Sequence, residues 1–230
     1  MAEFKLPYGA EFSPDKICII DVLKIASINE GHSTEEFVID IANKYYKSNK
    51  IMASNCKNSM VAYGILKTGG GIVFSEFGNI LLAMENEKEI YDAMAKNILT
   101  KLNGLMFIEA IRTLTNSGTS PTLENMTETL NLMGCEELSK TNKHVATMKK
   151  WLEKAQVLEG WKIKEKNLEN LIGMNDEEVE VLRELNYAQT CFVKALCNTG
   201  IDGYHNAAKI KNLAKVSYNV IFPEKNFSSA

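Results

Sequence analysis

The side chains that most often carry catalysis are few in this chain and poorly grouped. His32, His144 and His205 are far apart, and none stands in an H-x-x-x-H or H-x-x-E-H frame, so helix-spaced metal ligands are not expected. Cys18, Cys56, Cys135, Cys191 and Cys197 are scattered without a C-x-x-C pair, a pattern of reduced thiols in cores rather than a disulfide frame or a zinc site. The triple glycine Gly69-Gly70-Gly71 runs into Ile72-Val73-Phe74 and matches no phosphate-loop spacing. Strings such as Pro223-Glu224-Lys225 lack the preceding aspartate and strand that a metal-dependent nuclease needs. No catalytic residue, metal ligand or cofactor is therefore assigned. A nuclease activity, if there is one, is expected in an attached domain or partner.

The chemistry the sequence does support is electrostatic. Of 26 basic residues only Arg112 and Arg183 are arginine; the other 24 are lysine. The 35 residues from Ile41 to Ser75 contain no aspartate or glutamate, where the chain average of 29 in 230 would place about four. The same window holds Lys44, Lys47, Lys50, Lys57 and Lys67. Leu138 to Leu152 is also acid-free, and Lys140, Lys143, Thr147, Lys150 and Lys154 recur at helical spacing opposite Val145 and Leu152. A third acid-free run, Gly203 to Pro223, carries Lys209, Lys211 and Lys215. Acids gather instead at Glu85 to Asp92 and Asp176 to Glu184, so a formal net charge of −3 hides a segregated surface.

The elements that position these lysines follow from caps and periodicity. Ser13-Pro14-Asp15 predicts a helix start leading to about Ile28, and Ser33-Thr34-Glu35-Glu36 a capping box opening a second helix to about Tyr46. Met52, Cys56, Met60 and Tyr63 define the buried face of a third helix from Lys50 to about Gly64. Short strands at Ile65 to Lys67 and Ile72 to Phe74 flank the glycines as a hairpin, and Ser75 caps the helix after it. Three helices and a glycine-tipped hairpin are the order of a winged helix-turn-helix.

A bridging helix from about Lys88 to Leu102 then leads to a less clean recurrence: helices at Leu105 to Thr115, Thr122 to Met133 and Ser139 to Leu158, an abbreviated wing at Gly160 to Ile163, and a closing helix at Lys166 to Ile172. Asn175 to Asn198 and Asn206 to Tyr218 predict a final helical pair. The expected fold is mainly α, with tandem winged helix-turn-helix units and short β-hairpin wings joined by long helices. Its parts are residues 1–84, a bridge at 85–103, a second unit at 104–173 and a C-terminal pair at 174–230 that could open a third unit.

Both lysine-rich windows fall on the helix that this topology presents to a duplex, and phosphate is the ligand an acid-free, lysine-rich face suits. The candidate DNA-binding residues are Lys44, Lys47, Lys50, Ser54, Asn55, Lys57, Asn58 and Lys67 in the first unit, and Lys140, Asn142, Lys143, Thr147, Lys150 and Lys154 in the second. With so little arginine, bidentate reading of guanine is disfavoured. Contact led by phosphate, with asparagine reading adenine, is the expectation. Lysine on the solvent face of a helix is also commonplace, and the apolar rows of both helices read as core.

Composition agrees with a globular chain: 45% apolar and 24% charged residues, no apolar leader in MAEFKLPYGAEF, and no run long enough to span a membrane. The expected location is the cytoplasm, with no membrane partner.

FSPDK, LKTGGGIVFSEFG, LNGLMFIEAIRTL, MKKWLEKAQVLEG and WKIKEKNLENLIG resemble the tandem winged-helix DNA-binding regions of bacterial restriction and phage-defence proteins, over roughly Phe12 to Gly173. The resemblance implies recognition of double-stranded DNA beside a nuclease or other effector domain or subunit. The chain departs from it in showing no nuclease motif. Two other readings stay open: a protein-binding scaffold built on winged helices, and a transcription regulator that dimerises through its long helices.

Overall fold

The computed structural model describes residues 4–135, 142–173, 185, 187–199 and 206–222. Among them are eleven helices, 63% helix, and one two-stranded sheet. No described helix is long and apolar enough to cross a membrane. Two compact units divide the chain: residues 7–95 with 141–162, and residues 1–6 with 96–140 and 163–230.

The first unit holds α1 (Ile19–Ile28), α2 (Thr34–Tyr45), α3 (Lys50–Ala62) and α4 (Glu76–Leu82), with α8 (Lys143–Lys154) and strand β1 (Leu158–Glu159) returning from far along the chain. The helix expected from Ser13 starts later. The Ser13 carbonyl accepts from the Lys16 and Ile17 amides, closing a turn, and Cys18 is extended before Ile19. The capping box at Ser33 does not form, because the Ser33 side chain makes no cap hydrogen bond and its backbone bridges Gly71 instead. Asn49 does cap α3, accepting from the Ile51 and Met52 amides, and Ser75 caps α4 by accepting from Gly78. Between them Leu66 pairs antiparallel with Phe74, and the Lys67 amide donates to Val73 at 2.8 Å. Gly78 has a steric reason: a Cβ there would lie 2.1 Å from the Ile65 carbonyl oxygen.

The core of this unit is aromatic. Trp151, on α8, is fully buried with its ring 5.1 Å from Phe12, 6.1 Å from Tyr63 and 5.9 Å from Tyr91, and its indole N–H donates to the Phe12 carbonyl at 3.1 Å. Cys56 and Met60 of α3, Tyr63 just after it, and Val145, Met148 and Leu152 of α8 are buried as their periodicity requires, while Met52 is only partly buried. Tyr46 is buried with its hydroxyl donating to the Glu11 carbonyl, while half-buried Tyr45 donates to Asp21.

The second unit contains α6 (Gly104–Asn116), α7 (Leu123–Leu132), α9 (Glu165–Ile172), α10 (Tyr187–Asn198) and α11 (Ala207–Tyr218). The division falls inside α5 (Glu87–Lys101) and inside β2 (Lys162–Ile163), which pairs with β1. α6 packs on α7, and Arg112 of α6 holds Glu165 at 2.6 Å. α10 and α11 enclose Cys191, Ala195, Ile210, Ala214, Val220 and Phe222, the expected C-terminal pair. The whole acidic run Asp176 to Glu184, and the start of the helix expected from Asn175, lie outside the described residues.

Candidate nucleic-acid interface

A helix advances about 100° per residue, which sorts α3 into two arcs. Ala53, Cys56, Lys57, Ser59 and Met60 are buried, whereas Lys50, Ile51 and Asn58 are exposed and Ser54 and Asn55 partly so. The outward residues of the first turns thus share one arc of about 140°. Before them, the α2–α3 turn passes through Lys47 and Ser48, both left-handed at φ 49° and 64°. Such values cost an L-residue roughly 1–2 kcal/mol. Ser48 recovers part of this through a 2.9 Å hydrogen bond to Asn43.

An open groove of about 480 Å³ runs between α2 and α3. Thr34, Glu35 and Val38 line it from α2, and Lys50, Ile51, Ser54 and Asn55 from α3. The glycine hairpin is tied down beside these helices. The Gly69 carbonyl accepts from Lys57 Nζ at 2.9 Å and the Gly70 carbonyl from the Thr34 hydroxyl at 2.6 Å, while Gly31 donates to the Ile72 carbonyl at 2.9 Å. The connection before α2, the start of α2, the hairpin and α3 are therefore one hydrogen-bonded assembly.

The structure places the sequence-nominated residues in three groups. Lys47, Lys50, Ser54, Asn55, Asn58 and Lys67 lie on or beside the outward arc, and Lys47, Lys50 and Lys67 enter no ion pair among the described residues. Lys143 is exposed on α8 in the same way. A second group is engaged. Lys44 pairs with Asp21 at 2.7 Å, pulling the Asp21 carboxyl below its usual range, Lys150 pairs with Asp15, and Lys154 lies over the Tyr91 ring.

Lys57, Thr147 and Asn142 depart from the exposed helix positions expected of them. Lys57 is only 8% exposed although it stands two turns on from Lys50 and about 20° off its direction, because its ammonium reaches the hairpin and donates to the Gly69 carbonyl. Thr147 is 4% exposed, so it interrupts the stripe drawn along α8. Asn142 is the left-handed residue before α8, at φ 52°, not a side chain within the helix. Lys140 lies outside the described residues.

Sequence reasoning missed four groove residues, Ile51, Thr34, Glu35 and Val38. Ile51 was legible as an apolar residue on the polar side of α3. Thr34 and Glu35 had been assigned to a capping box. No group of three or more His, Cys, Asp or Glu side chains able to hold a metal ion occurs among the described residues. No family model, curated protein or solved structure matches the chain.

Proposed function

We propose that residues 7–95, together with 141–162, act as a winged helix-turn-helix that binds double-stranded DNA, with α3 in the major groove and the hairpin at 66–74 as its wing. The element order supports this: α1, a connection paired to the hairpin, α2, α3, hairpin. One observation carries it. The outward arc of α3, its preceding turn and the hairpin present Lys47, Lys50 and Lys67 free of ion pairs among the described residues, in a window without a single carboxylate. Phosphate is the natural counter-charge for such a surface. On the resemblance to restriction and phage-defence proteins, the module positions a separate effector domain or subunit.

The tandem form of this reading is weaker. α8, β1–β2 and α9 do repeat the order helix, hairpin, helix, yet α8 belongs to the first unit, whose core Trp151 fills, while α6 and α7 belong to the second. α8 therefore adds Lys143 to the first module instead of heading an independent one.

Fluorescence anisotropy with a labelled duplex across a salt series tests the proposal. Binding at about 50 mM salt, with Lys50→Glu and Lys67→Glu each weakening it and flattening the salt slope by about one, is expected. Absence of binding at low salt, or two unaffected variants, would sink it.

A second reading rests on Glu35. A carboxylate lining the groove opposes phosphate and suits a basic peptide, so a protein partner laid between α2 and α3 is the alternative.

A further inference from the structure

The outward arc of α3 contains one residue whose chemistry phosphate binding does not explain. Ile51 is 76% exposed in the first turn of the helix. At 100° per residue it stands near the middle of the arc, with Lys50 and Ser54 to one side and Asn55 to the other. It also lines the groove between α2 and α3. A lone exposed isoleucine is unremarkable by itself. Here it is set among an ammonium, a hydroxyl and amides, on the helix that begins with the unpaired Lys50.

In the major groove, thymine differs from every other unmodified base by a C5-methyl group, and apolar side chains are the groups that contact it. Asparagine beside such a contact suits adenine, which offers N7 as acceptor and N6 as donor. Guanine, by contrast, is usually read by arginine. Of the two arginines, Arg112 is committed to Glu165, and Arg183 lies outside the described residues.

We infer that Ile51 is a specificity-determining residue that packs against the C5-methyl group of a pyrimidine in the major groove, thymine or 5-methylcytosine, while the flanking lysines hold phosphate. This rests on duplex DNA being the ligand of α3.

The test compares duplexes that differ only in that methyl group: alternating A·T against A·U, and alternating G·C against the same duplex with 5-methylcytosine. Sequence register does not matter in such repeats. Burying one methyl-sized group is worth roughly 0.8 kcal/mol, or about four-fold in affinity. Wild-type protein should prefer the methylated duplex by at least that factor in one pair or both, at unchanged salt slope. A preference in the first pair alone identifies thymine, and in the second alone 5-methylcytosine. Ile51→Ala should abolish the preference and Ile51→Val keep it, both folding normally because the site is exposed. Equal affinity within both pairs, or a preference that survives Ile51→Ala, would overturn the inference while leaving DNA binding intact. Failure to bind any of the four duplexes would overturn the DNA reading and this inference with it.

Discussion

The Lys57 ammonium donates to the Gly69 carbonyl at 2.9 Å, so a buried lysine of α3 fixes the tip of the glycine hairpin. A charged donor is stronger than a neutral one, and a buried ammonium needs its acceptor. The position of the hairpin is thus coupled to the helix proposed to enter the groove.

Lys57→Met keeps the aliphatic stem and removes the donor. Because the Gly69 carbonyl can be hydrated once released, global stability should fall by only about 1 kcal/mol. Hydrogen exchange should accelerate at Lys67 and Ile72, whose amides donate to the Val73 carbonyl across the hairpin and to the His32 carbonyl before α2. DNA affinity should fall with the salt slope unchanged, because Lys57 touches no phosphate. A slope reduced by about one would assign Lys57 to direct contact instead.

Trp151→Ala should cost about 3–5 kcal/mol in urea unfolding followed by circular dichroism, since it empties a site enclosed by Phe12, Tyr63 and Tyr91. Trp151→Phe should cost less, forfeiting chiefly the hydrogen bond to the Phe12 carbonyl. A chain ending at residue 140 should lose the cooperative transition of the first unit, because α8 is part of its core.

That arrangement separates what the sequence made legible from what it did not. Individual helices were readable because their signals are local: Asn206 caps α11, Ser75 caps α4, and the apolar rows of α3 and α8 are the buried ones. The grouping of α8 with residues 7–95 depends on Trp151 meeting Phe12 across 139 positions, which periodicity does not encode. The candidate interface divides the same way. Spacing placed Lys50, Ser54 and Asn58 outward, but it could not show that Lys57 would turn to a hairpin carbonyl or that Asp15 and Asp21, lying outside the acid-free windows, would engage Lys150 and Lys44.

Lys47→Gly should stabilise the first unit by roughly 1 kcal/mol in urea unfolding. Lys47 is exposed and left-handed at φ 49°, a conformation that glycine adopts without steric cost, offset in part by glycine's greater unfolded-state entropy. The same variant should lose one phosphate contact and bind DNA with a shallower salt slope. Stability and affinity moving in opposite directions would separate backbone strain from charge.

Glu35→Gln distinguishes the two readings of the groove. Removing a carboxylate that lines it relieves repulsion of phosphate, so duplex affinity should rise a few-fold, most clearly at low salt. If a basic peptide is the ligand, the same substitution weakens its capture and leaves duplex binding where it was. Anisotropy on a duplex and on a lysine-rich peptide, side by side, reads the difference.

Alkaline pH should destabilise the first unit through groups that burial keeps neutral. The Cys56 thiol is pushed up to about 12, chiefly by desolvation, and burial raises the hydroxyls of Tyr46, Tyr63 and Tyr91 as well. Once pH exceeds the ordinary thiol value the unfolded chain releases its Cys56 proton while the folded chain retains it, so the folded state binds more protons and unfolding becomes easier. The stabilisation is complete below the unfolded pKa and is lost as pH rises toward the folded one. Urea midpoints should therefore decline from about pH 9 upward, each such group adding up to about 1.4 kcal/mol per pH unit within its window. Cys56→Ala should lessen the steepness of that decline by about one proton, while leaving the tyrosine contribution in place. A midpoint that stays level to pH 11 would show that these groups ionise in the folded protein, and so are not enclosed as described.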